Sequence, residues 1–366
     1  MNKKILIYGV GPFGSLFAER LAEAGHSVSL LDQGERKQEL ETYGVVTENT
    51  ETGVRTVTHL PVVESLKEDD YYDLVIVPIR KNKVSAILPV LAANKKVPTF
   101  LFMMNNAAGQ QKFIDALGKE RVMAGFPLPG GFKKGHVMHM MPVEKNKPII
   151  LPIGEVDGSV STRTREVAKI LSSMRGYRAE IRKDIDAWLK TQVAVMIPTL
   201  VPAVYACDTN LDNFAATRDA QVLMKRALHE ALQATEKAGI PITPPAFKMM
   251  DKIPEPLFVM ALSKMAKSPS FENAIEHLKY TEDEIEYLTD EFYTMIKPSN
   301  IPTPTVDQLT DYTYGRREPL PVGAKTIPLN WKPVYGAAIG LVAIAGLATI
   351  LKKQKNGNGE RHTPAA

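Results

Sequence analysis

The stretch that most constrains this chain is Gly9-Val10-Gly11-Pro12-Phe13-Gly14, because of what stands on either side of it. Before it runs Lys4-Ile5-Leu6-Ile7-Tyr8, an apolar, β-prone segment. After it the pattern predicts a helix from about Ser15 to Ala24, closed by Gly25. A second strand, Ser27-Val28-Ser29-Leu30-Leu31, ends on Asp32, 18 residues past the last glycine. A glycine-rich turn alone says little. Strand, G-x-G-x-x-G, helix, strand and acid in this order are what a dinucleotide-binding turn demands. Gly9 would permit the tight turn, Gly11 the approach of a pyrophosphate, and Gly14 close packing of helix on strand. The helix's N-terminal amides would then face the phosphate charge.

A chain of 366 residues is long for one core, so two domains are expected. An apolar fraction of 44% and a charged fraction of 23% fit an ordinary globular protein. A formal charge of +4 is small for this length and gives no reason to expect a nucleic-acid partner. The single cysteine, Cys207, excludes an intrachain disulfide and suits a reducing compartment. His136 and His139 are close in sequence but lack neighbouring ligand residues, so no metal site is expected.

Downstream of Asp32, the pattern predicts a polar helix beginning in 33–40, then strand-like pieces at Gly44–Thr47 and Arg55–Val62. Asp73–Ile79 is nearly continuous apolar sequence, as expected of a parallel strand covered on both faces. A helix over Lys83–Asn94, a strand over Thr99–Met103 and the loop Met104-Asn105-Asn106-Ala107-Ala108-Gly109 follow. Further strands are expected at Val122–Gly125, Ile149–Pro152 and Arg178–Ile181, with a helix over Thr162–Met174. This order argues for an α/β Rossmann-type doubly wound sheet over residues 1–182, with ligands beyond the strands' carboxyl ends.

From residue 183 the chain changes to long helices, giving an all-α domain over 183–315. Asp184–Tyr205 is apolar but should kink or break at Pro198 and Pro202. Leu211–Ala238 reads as one helix ending at Gly239, and further helices are expected near Glu255–Ala266, Glu272–Lys279 and Asp283–Lys297. Residues 316–333 are proline-rich and read as a linker. Val334–Leu351 then runs 18 residues without a charge, about 27 Å as a helix, close to the roughly 30 Å hydrocarbon core of a bilayer. Trp331 and Tyr335 stand at its start, and Lys352, Lys353 and Lys355 follow it. We therefore expect a single C-terminal transmembrane helix over 334–351, a polar tail over 352–366, and a cytoplasmic domain anchored to the membrane.

The glycine motif, Asp73-Leu74-Val75-Ile76-Val77, Met104-Asn105, Ile153-Gly154-Glu155 and Asp184-Ile185…Trp188-Leu189-Lys190 form a series. That series resembles the ketopantoate reductase (2-dehydropantoate 2-reductase) family over roughly residues 3–310. The order of a dinucleotide domain and a helical domain places the substrate in the cleft between them. The resemblance implies reduction of a 2-keto acid by NAD(P)H, by default 2-dehydropantoate to pantoate in pantothenate biosynthesis; a homodimer is compatible with it. It implies Lys190 as the acid that protonates the forming alkoxide, and Asn105 beside nicotinamide and ketone. It places Arg80 where the family often has a cofactor-contacting lysine, and Glu284 roughly where a glutamate holds a substrate hydroxyl. The family usually has asparagines one and two helical turns beyond the lysine; this chain has Ala194 and Pro198. A later family asparagine falls at Asp208, with Asn210 close by. Where the family commonly holds a 2′-phosphate with arginine, this chain has Asp32-Gln33, which leans the cofactor to NADH, although Arg36 and Lys37 are near. Two other readings remain open. One is a membrane-tethered dinucleotide sensor or scaffold without turnover. The other is a reductase of another carbonyl compound, such as a 3-hydroxyacid dehydrogenase.

Overall fold

The computed structural model describes residues 2–334 apart from 269–270 and 272–275. Its first six strands are β1 (Lys4–Tyr8), β2 (Ser27–Leu31), β3 (Val45–Asn49), β4 (Arg55–Thr58), β5 (Val62–Val63) and β6 (Leu74–Val77). The next six are β7 (Phe100–Met103), β8 (Val122–Gly125), β9 (Gly131–Lys134), β10 (Val137–Met140), β11 (Ile149–Glu155) and β12 (Tyr177–Ile181). Eight of them make one sheet in the order β12-β11-β8-β7-β6-β1-β2-β5. Pairing is parallel throughout except between β11 and β8. The chain goes from β1 outward to β2 on one side and returns to β6 on the other. That reversal opens a crevice beyond the carboxyl ends of β1 and β6.

Burial on both faces explains the continuous apolar strands. Ile5, Ile7, Leu74 and Ile76 enter one core layer, with Phe17 of helix Pro12–Glu23, while Leu6, Tyr8, Val75 and Val77 enter the opposite layer. The segment expected as one piece over Arg55–Val62 is two strands in different sheets. Pro61 lies between them, where the chain crosses from β4 to β5. β4, β3, β10 and β9 form a separate four-stranded sheet. Its β9–β10 hairpin turns at Gly135, with φ of 58°, and the Lys- and Gly-rich strands carry no strong period-2 pattern to announce it. His139 in this sheet pairs with Glu48 at 3.0 Å, and His136 stacks on Tyr43.

The helical part begins with Ile185–Val195. The expected interruption by proline takes a specific form: a π-helical turn over Met196–Leu200, then helix Val201–Tyr205. Pro198 has no N–H to give and pushes the ladder out of α register. Among the described residues, Ile185–Tyr205 is long and apolar enough to cross a membrane, but 72% of its most apolar window is buried inside the protein. Its hydrophobicity therefore serves the interior. The helix expected over Leu211–Ala238 is broken at Thr217 into Leu211–Ala216 and Arg218–Lys237. The break is held because the Gln221 amide donates to the Phe214 and Ala215 carbonyls at 2.8 and 3.1 Å, satisfying the end of the first helix.

The proline-rich stretch expected as a linker is tied down. Leu320 N donates to Ala206 O at 2.7 Å, and buried Asp219 accepts Thr326 N and Ile327 N at 2.8 and 3.0 Å. Arg226 donates to Pro328 O at 2.9 Å, and Asn330 N to Glu255 at 2.8 Å. The apolar span expected over 334–351 lies, from 335 onward, outside the described residues.

Candidate active site

The turn after β1 is built by sterics and by one carboxylate. Gly9 has φ of 101°, and a Cβ there would run into the Ile79 side chain just past β6, so the two strand ends touch. A Cβ at Gly14 would collide with the Gly9 carbonyl oxygen, whereas one at Gly11 would meet nothing within 4 Å. Asp32, at the end of β2, accepts Val10 N at 2.6 Å and Gln33 N at 2.9 Å, one on each oxygen. Arg36 donates to Val10 O at 2.8 Å and to Ser15 Oγ at 3.1 Å and pairs with Glu39. Lys37 reaches Glu64 at 3.0 Å. Helix Pro12–Glu23 starts with proline at its first turn, no side-chain cap and no acidic residue there. Open space at Gly11 and an uncapped helix start fit a dinucleotide pyrophosphate, with Gly9, Gly11, Pro12, Phe13 and Gly14 as its backbone cradle.

Lys190 is set by the domain junction. Arg182 forks onto Asp184 at 3.0 and 2.9 Å, and Thr243 donates to the same carboxylate at 2.7 Å. Ile185 and Leu189 are buried with Ala124 at the end of β8, with Trp188 packed on Phe126 at 5.3 Å between ring centroids. That face turns the next one, Asp186 and Lys190, toward the loop after β7. Lys190 Nζ donates to Asp186 Oδ2 at 2.6 Å, and a Cβ built on Gly109 would lie 3.4 Å from the ammonium nitrogen. Asn105 opens this loop, half-buried, and its side chain makes no hydrogen bond among the described residues. The structure thus brings Lys190 and the Asn105 loop together. The i, i+4 spacing of Asp186 and Lys190 is legible in the sequence; the loop's arrival is not.

A second polar cluster, which the sequence did not announce, lies at the seam with helix Glu282–Ile296. Lys81 is 4% exposed, donates to Asn106 Oδ1 at 2.7 Å, and lies 3.5 Å from Glu291. Burial holds its pKa below the usual lysine value, against the pull of the Glu291 charge. The other Glu291 oxygen accepts Ala107 N and Ala108 N, both at 3.2 Å, while Asn106 donates to Gly109 O at 2.9 Å. Glu284 accepts Lys81 N at 2.9 Å, and burial raises its carboxyl above the ordinary glutamate value. Arg80 pairs with Asp283 at 2.7 Å, beside Asn82 and Lys83 on the same carboxylate. Arg80 and Glu284 therefore both contribute to the interdomain clasp. Ala194 is fully buried, Pro198 is buried in the π turn, and Asn210 caps helix Leu211–Ala216 through Asn213 N at 3.0 Å.

Two measurements check this geometry. Gly14→Ala should cost about 1–3 kcal/mol of stability, because backbone must move, whereas Gly11→Ala should leave Tm near wild type yet weaken dinucleotide binding by roughly tenfold. Melting curves and dinucleotide titrations of both variants separate the two roles. For Glu284, the raised carboxyl means that its contribution to stability is full below its ordinary value of 4.5 and is lost as pH rises through the folded-state value. Glu284→Gln cannot ionise, so its Tm should gain on wild type as pH is raised from about 4 to about 7.

Residues 5–146 match the family model described as ketopantoate reductase PanE/ApbA. The chain is similar to the 2-dehydropantoate 2-reductase of Aquifex aeolicus (strain VF5), 22% identical over 317 residues, covering 85% of this chain and 96% of the relative. Among solved structures, it shares the fold of a D-mandelate dehydrogenase in a ternary complex with NADH and anilino(oxo)acetate. That match has a TM-score of 0.68 and 17% identity, over 86% of this chain and 97% of the other. It also shares the fold of 2-dehydropantoate 2-reductase from Geobacter metallireducens GS-15, with a TM-score of 0.65 and 16% identity, over 86% and 99% of the two chains. The matched family and these relatives are oxidoreductases acting on CH–OH groups, and the fold they share is that of this chain.

Proposed function

We propose that this chain reduces a 2-keto acid, using NADH, with Lys190 as the proton donor. The observation that carries the reading is the Asp186–Lys190 pair lying against the loop of Asn105, whose amide has no hydrogen bond among the described residues. A bound nicotinamide supplies the hydride. As the C–H bond forms and the carbonyl π bond breaks, negative charge gathers on oxygen, and Lys190 gives that oxygen its proton. Asp186 accepts from the Lys190 ammonium and so fixes where the proton donor stands. Asn105 orients the carbonyl with its free amide.

The engagement of the two nearby cations supports the NADH preference, since Arg36 is bound to the glycine turn and Lys37 to Glu64 rather than standing ready for a 2′-phosphate. The substrate side supports an acid without a distal hydroxyl. Ala194 and Pro198, buried where the family has asparagines, offer a substrate none of the hydrogen bonds those asparagines would give, each a loss of about 1–3 kcal/mol to a polar substrate. The D-mandelate dehydrogenase of the same fold is seen with NADH and anilino(oxo)acetate, which is compatible with an apolar substrate side chain. We further propose that residues 334–351 anchor the catalytic domains to a membrane, on the strength of their length and lack of charge.

An assay of cofactor oxidation over ketopantoate, branched-alkyl and aryl 2-keto acids tests the activity. Lys190→Ala should lower kcat by about 10²–10⁴-fold with dinucleotide affinity unchanged. Unaltered turnover would remove Lys190 from the mechanism, and binding without oxidation across the panel would favour a sensor. NADH should bind at least roughly tenfold tighter than NADPH, by titration. Cell fractionation of the full chain and of residues 1–334, which keeps the docked 318–330 stretch, tests the anchor: the full chain should pellet with membranes and the shorter one should not.

A further inference from the structure

Helix Glu255–Met265 buries Pro256, Phe258, Val259 and Leu262, of which Phe258 and Leu262 enter the helical core. Its other face is not polar, as a solvated helix face would be. Leu257, Met260 and Met265 are 44, 66 and 50% exposed, and Met249 and Ile253 just before the helix are 69 and 39% exposed. Single exposed apolar residues mean little. Here five of the fourteen large exposed apolar side chains among the described residues fall within this one short segment, which makes it a surface for something.

Charge and chain path say what that something is. The segment's acids are engaged inward: Asp251 with Lys225 and His229, both at 2.9 Å, and Glu255 with Arg226 at 2.9 Å. Lys252, Lys264 and Lys267 are exposed and form no ion pair among the described residues. The outward charge of the segment is therefore positive, interleaved with methionine, leucine and isoleucine. That is the composition of a helix that lies in an anionic lipid interface. The chain also passes the start of this helix shortly before residue 334, the last described, since Asn330 N is bonded to Glu255, the helix's first residue. Beyond Val334 the next charge in the sequence is Lys352.

We propose that the surface formed by Met249, Ile253, Leu257, Met260 and Met265 docks onto an anionic bilayer, with the three lysines on the headgroups. The closeness of that bilayer rests on the membrane-anchor reading; the orientation of the domains on it does not follow from the anchor and is new. Docked this way, the helical domain sits on the membrane through this face and is not free to tumble at the end of a tether.

The test uses the full chain. Cys207, the single cysteine, is buried and its thiol is pushed up to about 12, so an added surface cysteine labels selectively. Met260→Cys and, as control, Val57→Cys on the exposed strand β4 are each given an environment-sensitive fluorophore and mixed with equimolar phosphatidylcholine–phosphatidylglycerol vesicles carrying nitroxide lipid. The expected result is quenching at 260 at least about threefold stronger than at 57, reduced by K252E/K264E/K267E. Vesicle-bound protein with equal quenching at both sites overturns the docking face while leaving the anchor standing. A 260 label already shielded from iodide without lipid assigns the face to the chain itself or to a second copy, and overturns it too. Should the protein not sediment with the vesicles, the anchor fails; quenching at 260 in the mixture would still uphold the face, and its absence would end it.

Discussion

The buried ammonium of Lys81 is the contact on which the arrangement of the two domains depends. It lies just past β6, and its partners come from the loop after β7 and from helix Glu282–Ile296 of the other domain. Removing one partner of such a pair leaves a desolvated charge, a loss of about 3–5 kcal/mol, so the three elements are held as a unit. The unit has a chemical use. The loop that Lys81 and Glu291 hold through Asn106, Ala107 and Ala108 carries Asn105 and brings Gly109 against Lys190. The clasp thereby ties the position of Lys190 to the end of strand β7.

The long run Ile185–Tyr205 shows how one helix serves two demands. Its first turns carry Asp186 and Lys190 toward the cleft, while Ile185 and Leu189 pin it to β8. Farther on, it becomes the centre of the helical core, with Val193 and Ala194 fully buried. The π turn at Pro198 lets the helical run continue past the proline into Val201–Tyr205. The cost of that core role is polarity: Ala194 and Pro198, one and two turns past Lys190, are buried and carry no polar side chain.

Much of the fold was legible because its signals are local. The glycine turn, the closing glycines and the continuous apolar strands each reflect a steric or burial rule that acts within a few residues. Asp32 could be read as an acid at a strand end. Its use, holding Val10 N, depends on β1 and β2 lying side by side. Arg80 and Glu284 were visible as charged residues at suitable places in the sequence, yet their contacts, Asp283 and Lys81 N, come from about 200 residues away. Lys81 gave no signal, since a lysine among Arg80, Asn82 and Lys83 reads as a solvated surface turn. The β9–β10 hairpin and the break at Thr217 were silent for a related reason: both are decided by contacts that no periodicity encodes.

By itself, then, the sequence determined the dinucleotide turn, the parallel apolar strands, the change to helices near residue 183 and the uncharged run after Val334. Each follows from backbone sterics or from the burial of neighbouring residues. Only the tertiary structure decided which lysine is buried, which carboxylates close the seam, and that the apolar run Ile185–Tyr205 belongs to the interior. It also decided that Leu257 and Met260 face outward while Phe258 and Leu262 face in. These outcomes depend on which surfaces meet, and desolvation of a charge or a methyl group is settled only when they do.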